Sequence, residues 1–166
     1  MTLLDAPEFN AARDRRNRII IYSTSSVIVA LLIIWWLVAG HPLDWPWNWN
    51  AYIFGRSTVN RFFSTIEQND QQKTYGIWFN DQNWQQHPDN YSGYTFARFE
   101  QDWGPNSPQN EYGPIHSHRI AAERYVGNVL VVGLFLNDRK SAPVFLAYDP
   151  KTHTLSFSPI QLYLGP

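Results

Sequence analysis

The sequence predicts an α+β protein in which one N-terminal transmembrane helix is followed by helices packed on a curved, cone-like antiparallel sheet. Three observations predict this class: a long uncharged stretch near the N-terminus, amphipathic helix patterns in the middle of the chain, and short strand patterns towards its C-terminal end. Helices that come first and strands that come second favour an antiparallel sheet over a parallel sheet with alternating crossovers.

The uncharged stretch covers residues 19–39 and reaches roughly 30 Å as a helix, the thickness of a bilayer's hydrocarbon layer. The alternative is a cleaved secretory signal, whose apolar stretch is normally about 7–15 residues long. Arginines precede the stretch at positions 13, 15, 16 and 18, whereas no Lys or Arg follows it before Arg56. Because basic flanks stay in the cytoplasm, we expect a cytoplasmic leader, residues 1–18, and a single-pass protein of the inner membrane with a periplasmic or extracellular C-terminal domain.

Tryptophan is concentrated at the outer end of this predicted span. Five of the eight tryptophans lie there: Trp35, Trp36, Trp45, Trp47 and Trp49. Indoles anchor at the headgroup level, so residues 40–56 are predicted to form an interfacial linker rich in Trp and Pro. The alternative is contact with another membrane subunit or a pigment, in which case His41 would suit an axial position on a porphyrin-type ring.

Small residues form a stripe within the predicted span. Ser23, Ser26 and Ala30 follow helical spacings of three and four, which lets another helix approach closely. The alternative is that each hydroxyl bonds back to a carbonyl of its own helix and has no further role. The stripe is therefore a candidate helix-packing face.

The predicted exterior domain, residues 57–166, is long enough for one hydrophobic core and too short for two. A net charge of -1 provides no basic surplus for nucleic acid, and the absence of cysteine excludes disulfides, thiol chemistry and thiolate metal sites. We expect no nucleic-acid partner.

Three short helices are predicted at the start of this domain. Ser57 and Thr58 are expected to cap a helix over residues 59–66, and Asp70 a helix over residues 71–79. A third helix is expected to end near residues 102–105, where Gly and Pro follow. The core is expected to hold the aromatic residues of these helices: Phe62, Phe63, Trp78, Phe79, Phe96 and Phe99.

Four strands are predicted after the helices, over residues 115–125, 128–136, 142–148 and 154–157. The second is apolar on both faces, as expected of a central strand, and Gly133 permits a bulge or bend.

The helix patterns and the final strand carry a resemblance to a known superfamily. Val59-Asn60-Arg61-Phe62-Phe63, Tyr75-Gly76-Ile77-Trp78-Phe79 and Thr154-Leu155-Ser156-Phe157 resemble the nuclear-transport-factor-2-like (cystatin-like) superfamily, and in particular its small membrane-anchored bacterial members. The resemblance covers residues 57–160. It implies a fold and no chemistry, because the superfamily holds isomerases, dehydratases and proteins without activity.

The chain lacks a P-loop, a dinucleotide-binding turn, a nucleophile elbow and a zinc-binding helix motif. His116 and His118 lie two apart on a predicted strand and would face the same side, with His153 or Asp149 as a third metal ligand. The alternative is that they are ordinary hydrogen-bonding residues, and we expect no metal site.

Enzymes of the superfamily use an Asp or His as a general base beside tyrosines. Asp102, Tyr94 and Tyr112 are residues of those types, as are the two histidines, but no motif assigns a role to any of them. Asp102 fits equally well as a solvated residue at a helix end, so we expect no catalytic residue.

These observations predict a non-catalytic, single-span accessory subunit that stabilises a larger membrane complex, such as a photosynthetic reaction centre or another electron-transfer complex. Its expected partners are integral membrane subunits and the lipid bilayer. No motif for a cofactor of its own is present, although its rings would contact a pigment or lipid of a neighbouring subunit. The alternatives are a membrane-tethered periplasmic small-molecule-binding module or isomerase-like enzyme, and a cell-envelope scaffold.

Overall fold

A computed structural model describes residues 10–164 and divides the chain into two units, Met1–His41 and Pro42–Pro166. The first unit is built on helix α1, Ala11–Val38. The Asn10 side chain caps its start by accepting a hydrogen bond from the Arg13 N–H, at 3.0 Å. Helix α1 is long and apolar enough to cross a membrane, and none of its residues is buried.

The leader predicted for residues 1–18 is helical from Ala11 onwards, and its residues 1–9 lie outside the described part of the chain. An ion pair of 2.9 Å joins Arg18 to Asp14 one turn earlier. The arginine-rich flank is therefore continuous with the apolar helix.

The second unit holds three helices and one antiparallel sheet, which confirms the predicted α+β class. The order of its helices is a 3-10 turn at Pro46–Asn48, α2 at Trp49–Glu67, α3 at Gln71–Phe79, 3-10 turns at Trp84–Gln86 and Pro88–Tyr91, and α4 at Phe96–Trp103. The strands are β1 at His118–Val126, β2 at Val129–Leu136, β3 at Val144–Tyr148 and β4 at Leu155–Phe157. They pair in sequence order as a meander.

Helix α2 begins well before the position that the sequence predicts. The cap expected at Ser57 and Thr58 is wrong, because both residues lie inside the helix. The buried stripe that holds α2 on the domain extends back through Ala51 and Tyr52, so tertiary packing sets the start of the helix. The second half of the segment predicted as a linker is thus helical.

Helix α3 follows its prediction closely. The Asp70 carboxylate caps it by accepting a hydrogen bond from the Lys73 N–H at 3.0 Å. The helix ends at Asn80, whose φ of 54° is left-handed and whose amide donates to the Thr152 carbonyl at 3.2 Å. Asn80 therefore ties the end of α3 to the turn between β3 and β4.

Close packing of α2 on one face of the sheet depends on Gly55. A Cβ atom at this position would lie 2.6 Å from the Leu130 side chain and 2.9 Å from that of Tyr148. Arg56 reinforces the same contact, since its guanidinium pairs with the Glu123 carboxylate on β1, with Nε at 3.1 Å.

Residues 158–164, which we call the C-terminal strap, reach the opposite face of the sheet through Leu164. A Cβ atom at Gly133 would lie 2.8 Å from Leu164 of this strap and 3.0 Å from Phe145. The bulge expected near Gly133 lies on the neighbouring strand, between Ile120 and Ala122. Strand β2 is consequently buried on both faces, as predicted for a central strand.

Aromatic rings fill the space between the helices and the sheet. Trp103 stacks on Phe157 with a centroid distance of 5.7 Å and meets Phe62 edge-on at 5.3 Å. Such pairs add about 0.5–1.5 kcal/mol each beyond the area that they bury. We call this group the aromatic cluster; it comprises Phe62, Phe63, Tyr75, Trp78, Tyr94, Phe99, Trp103 and Phe157.

The structure defines the smallest fragment that should fold alone. A fragment of residues 42–166 is expected to give a cooperative thermal transition by circular dichroism. A fragment beginning at Arg56 removes the buried Tyr52 and the first two turns of α2, and we expect it to lose more than about 3 kcal/mol of unfolding free energy. Equal stability of the two fragments would contradict this boundary.

Candidate functional site

The C-terminal end of α1 holds the first of the candidate residues. Trp35 and Trp36 are both half-buried. His41 has a left-handed φ of 61°, and its ring meets that of Trp36 edge-on at 4.7 Å. The chain therefore places the imidazole predicted as a pigment or partner contact beside an indole of the same helix end.

The next tryptophans form an exposed apolar surface. Trp45 and Trp47 stack in parallel with a centroid distance of 5.0 Å, although they are 68% and 70% exposed. Leu43 beside them is fully exposed. Two large rings ordered against each other while facing solvent are expected to cover lipid or another protein. We call Leu43, Trp45 and Trp47 the tryptophan apron.

Trp49 plays a different part from the other tryptophans. Its indole N–H donates a hydrogen bond to the Asp44 backbone carbonyl at 2.9 Å. The Tyr52 hydroxyl donates a short hydrogen bond to the Asp44 carboxylate and accepts one from the Tyr125 N–H at 3.1 Å. Burial, followed by the bond to Asp44, raises the pKa of Tyr52. This connection, the Asp44 latch, fixes the apron's backbone to α2 and β1.

The small-residue stripe of α1 keeps its hydroxyls satisfied within the helix. The Ser23 hydroxyl donates to the Ile20 carbonyl at 3.0 Å, and the Ser26 hydroxyl donates to the Tyr22 carbonyl at 2.8 Å. With Ala30 they present small, exposed side chains. The geometry is compatible with either use predicted for the stripe.

The prediction that His116 and His118 lie on the same strand is wrong. Strand β1 begins only at His118, because the Asn137 side chain draws the His116 backbone N–H out of the ladder with a bond of 2.8 Å. The His118 ring nitrogens face Glu67, at 2.7 Å, and Asn60, at 3.2 Å. His118 is therefore held to α2.

The proposed third metal ligands are also engaged locally. The His153 ring nitrogen lies 2.5 Å from the Tyr148 hydroxyl, and the Asp149 carboxylate accepts a hydrogen bond from the Lys151 N–H at 2.8 Å. Residues 10–164 contain no group of three side chains placed to hold a metal ion.

The acid–base candidates lie at the edge of the aromatic cluster. The Tyr94 hydroxyl donates to one Asp102 carboxylate oxygen at 2.9 Å, and Arg98 lies 3.3 Å from the other. Burial, followed by the bond to Asp102, raises the pKa of Tyr94. Tyr112 stacks on Trp103 at 6.3 Å. Both Asp102 oxygens therefore have structural partners.

Sequence reasoning missed a second carboxylate centre, Asp81, in the loop after α3. One of its oxygens accepts hydrogen bonds from Tyr91 at 2.5 Å and His87 at 2.7 Å, and the other accepts from the Asn83 N–H at 2.8 Å. The bond from Tyr91 is the main reason that the pKa of Asp81 is lowered, and it raises the pKa of Tyr91 to about 12. No spacing rule connects these positions, so no sequence pattern could have indicated this centre.

Sequence reasoning also missed a polar cleft between α2 and the loop after α3. Its volume is 420 Å³, and its walls include Arg61, Lys73, Asn80 and Trp84. A smaller cleft of 190 Å³ shares Arg61 and Asn80 and reaches His153.

Comparisons with protein-family models, with curated proteins and with solved structures find no match for this chain. The class of protein thus rests on its own geometry: a long apolar helix followed by a folded α+β unit.

Removing the Tyr52 hydroxyl from the Asp44 latch should destabilise the α+β unit. We expect Tyr52→Phe to lower its unfolding free energy by about 1.5–3 kcal/mol, because a bond to a carboxylate is lost and the Tyr125 N–H is left without its partner. Tyr163→Phe, at an 86% exposed position, is the matched control. Urea unfolding of the fragment 42–166 measures both, and equal midpoints would contradict the latch.

Acid should weaken the loop around Asp81. Because the folded state lowers the pKa of Asp81, its contribution to stability is present above the unfolded pKa of about 4 and is lost as pH falls through the folded value. We expect Asp81→Asn to reduce the difference in urea midpoint between pH 7 and pH 3. Asp89→Asn, on the adjacent exposed turn, should keep the wild-type difference.

Proposed function

We propose that the protein is a single-span, non-catalytic accessory subunit of a membrane complex. The observation that carries the proposal is a 28-residue helix that has no buried residue and is uncharged from residue 19 onwards, followed in the chain by an ordered, exposed tryptophan apron. Exposing either apolar surface to water is unfavourable in free energy, and burial against lipid or neighbouring membrane subunits removes that cost.

The charge pattern supports one orientation. Helix α1 carries its arginines at its N-terminal end, and its last turn holds no basic residue. By the positive-inside rule the N-terminus is cytoplasmic, and the α+β unit lies in the periplasm or outside the cell.

The polar chemistry of the exterior unit supports a role without catalysis. Asp102 and His118 are the residues most suited to acid–base catalysis. Asp102 contacts Tyr94 and Arg98. His118 contacts Glu67 and Asn60. Such partners fix helices to each other and to the sheet, which is the use expected of polar groups in a docking domain.

Two finer assignments complete the proposal. The order of three helices before an antiparallel meander supports membership of the nuclear-transport-factor-2-like superfamily with a cone-shaped sheet.

The parent complex is a photosynthetic reaction centre or another electron-transfer complex, since such assemblies gather single-span subunits of this size. There Trp35, Trp36 and His41 would contact a neighbour's pigment or lipid.

Copurification tests the proposal. The tagged full-length protein is extracted from native membranes with a mild detergent and analysed by quantitative mass spectrometry. Integral membrane subunits at a fixed stoichiometry are expected. Recovery of the protein alone from nanodiscs as well as from detergent would overturn the accessory role.

The small-residue stripe should be the docking face of α1. We expect Ser26→Leu combined with Ala30→Leu to reduce the amount of the protein in the purified complex, because a lost helix contact costs about 1–2 kcal/mol. Thr24→Leu combined with Ile28→Leu adds leucines on the opposite helix face and is the control. Equal losses in both variants would contradict a specific docking face.

The absence of catalysis also has a direct test. Removing a positioned acid or base costs an enzyme a factor of roughly 10²–10⁴, whereas Asp102→Asn, His116→Ala and His118→Ala should leave the activity of the assembled complex unchanged. His118→Ala is expected to lower the melting temperature, since it removes the contacts to Glu67 and Asn60. Loss of activity with assembly and stability intact would identify a catalytic residue.

A further inference from the structure

The polar cleft beside α3 is lined by several polar side chains, among them Arg61, Lys73 and Gln82. It lies between Arg61 on α2, Lys73 on α3 and the loop that carries Trp84, and its volume of 420 Å³ is within the usual range of small-molecule sites. Gly76 lies in the wall, where a Cβ atom would meet the Asp81 carbonyl at 2.8 Å, so the loop closes tightly on the helix. The cleft is therefore shaped by backbone packing.

The two cations of the cleft form no ion pair within residues 10–164. Neither the Arg61 guanidinium nor the Lys73 ammonium forms an ion pair or a side-chain hydrogen bond there. Arg56, one turn earlier on α2, pairs with Glu123, and Arg98 pairs with Asp102. Two unpaired cations in one cleft are complementary to a carboxylate or phosphate group.

The remaining walls are rich in carboxamides. Gln72, Asn80, Gln82 and Gln85 line the cleft, and each amide both donates and accepts hydrogen bonds. Hydroxyl groups do the same, so a row of amides matches a polyhydroxylated ligand better than it matches an apolar one. The Gln72 and Gln85 side chains are already joined at 3.1 Å, which fixes their orientation.

Trp84 supplies an apolar surface that is held in place. Its indole N–H donates to the Gln72 carbonyl at 3.2 Å, and its ring packs against Tyr75 at 4.7 Å and Phe96 at 4.9 Å. An oriented indole offers a flat apolar surface on which the C–H face of a sugar ring can pack.

The smaller cleft extends the same surface. It shares Arg61 and Asn80 with the larger cleft and adds the Ser57 and Thr58 side chains. Arg61 therefore stands where the two clefts meet, with room for more than one sugar unit around it.

We propose that the Arg61 cleft binds an acidic carbohydrate, a sugar chain bearing carboxylate groups. Arg61 and Lys73 would pair with the acid group, and the carboxamides and the Asp70 carboxylate would form hydrogen bonds with the hydroxyls. The Trp84 ring would pack against an apolar face of a sugar. This binding activity goes beyond the accessory role and does not depend on it.

Calorimetry with the full-length protein in nanodiscs of neutral phosphatidylcholine tests the proposal. The probe is trigalacturonic acid, and its methyl ester has the same hydroxyls without the charge. We expect the acid to bind and the ester to bind at least about tenfold more weakly, because the charge-assisted bonds to Arg61 and Lys73 are lost. Inorganic phosphate at matched ionic strength should not compete below millimolar concentrations.

Two double variants distinguish binding at a specific site from nonspecific electrostatic attraction. Arg61→Gln with Lys73→Gln should weaken binding of the acid by about tenfold or more. Arg139→Gln with Lys151→Gln removes the same charge from exposed turns and should change it less than about twofold. Gln82→Ala should weaken the acid and the ester alike, which reports the hydroxyl contacts.

No binding of the acid, equal binding of acid and ester, or equal losses in the two double variants would each overturn the proposal. Unaltered melting temperatures of the variants establish that folding is not the cause, as expected for side chains that form no ion pair within residues 10–164. Copurification of membrane subunits is unaffected by any of these results, so the proposed function is judged separately.

Discussion

The close approach of α2 to the sheet is the constraint on which the α+β unit depends. Gly55 permits this approach, since any side chain there would collide with Leu130 and Tyr148. Once α2 lies against the strands, this one helix contributes residues to three separate sets of contacts in the unit. Its start holds the Asp44 latch through Tyr52, its middle pairs Arg56 with Glu123, and its end provides rings to the aromatic cluster. A cavity or clash at this contact would therefore disturb all three at once.

Polar groups in the α+β unit fall into two sets. The first set holds the structure together: Glu67 and His118 join α2 to β1 across 51 residues, whereas the bonds from Tyr94 to Asp102 and from Tyr91 to Asp81 fix shorter segments of the chain. The second set, around Arg61, points into space that the protein leaves open. Since unpaired charges are expendable for folding, the second set is where a ligand can be recognised without loss of structure.

The sequence predicted what local rules determine. Asp70 caps α3, and the alternation and turns of the strands placed the meander to within a few residues, because these signals act over short distances. The start of α2 was missed because Gly55 and the nearby proline are typical of linkers, while the burial of Tyr52 is decided by tertiary contacts. His116 left the strand through a bond to Asn137, and the Arg61 cleft joins residues from several elements, which one sequence cannot bring together.

The aromatic cluster and the neighbouring Trp84 give the α+β unit an optical signature. Tyr75 lies 4.7 Å from Trp84, and Tyr94 lies 5.6 Å from Trp78, so excitation energy absorbed by these two phenols is transferred to the indoles before it is emitted. These two tyrosines therefore contribute little fluorescence of their own until unfolding separates the rings. The α+β unit thus carries an internal probe of its own unfolding.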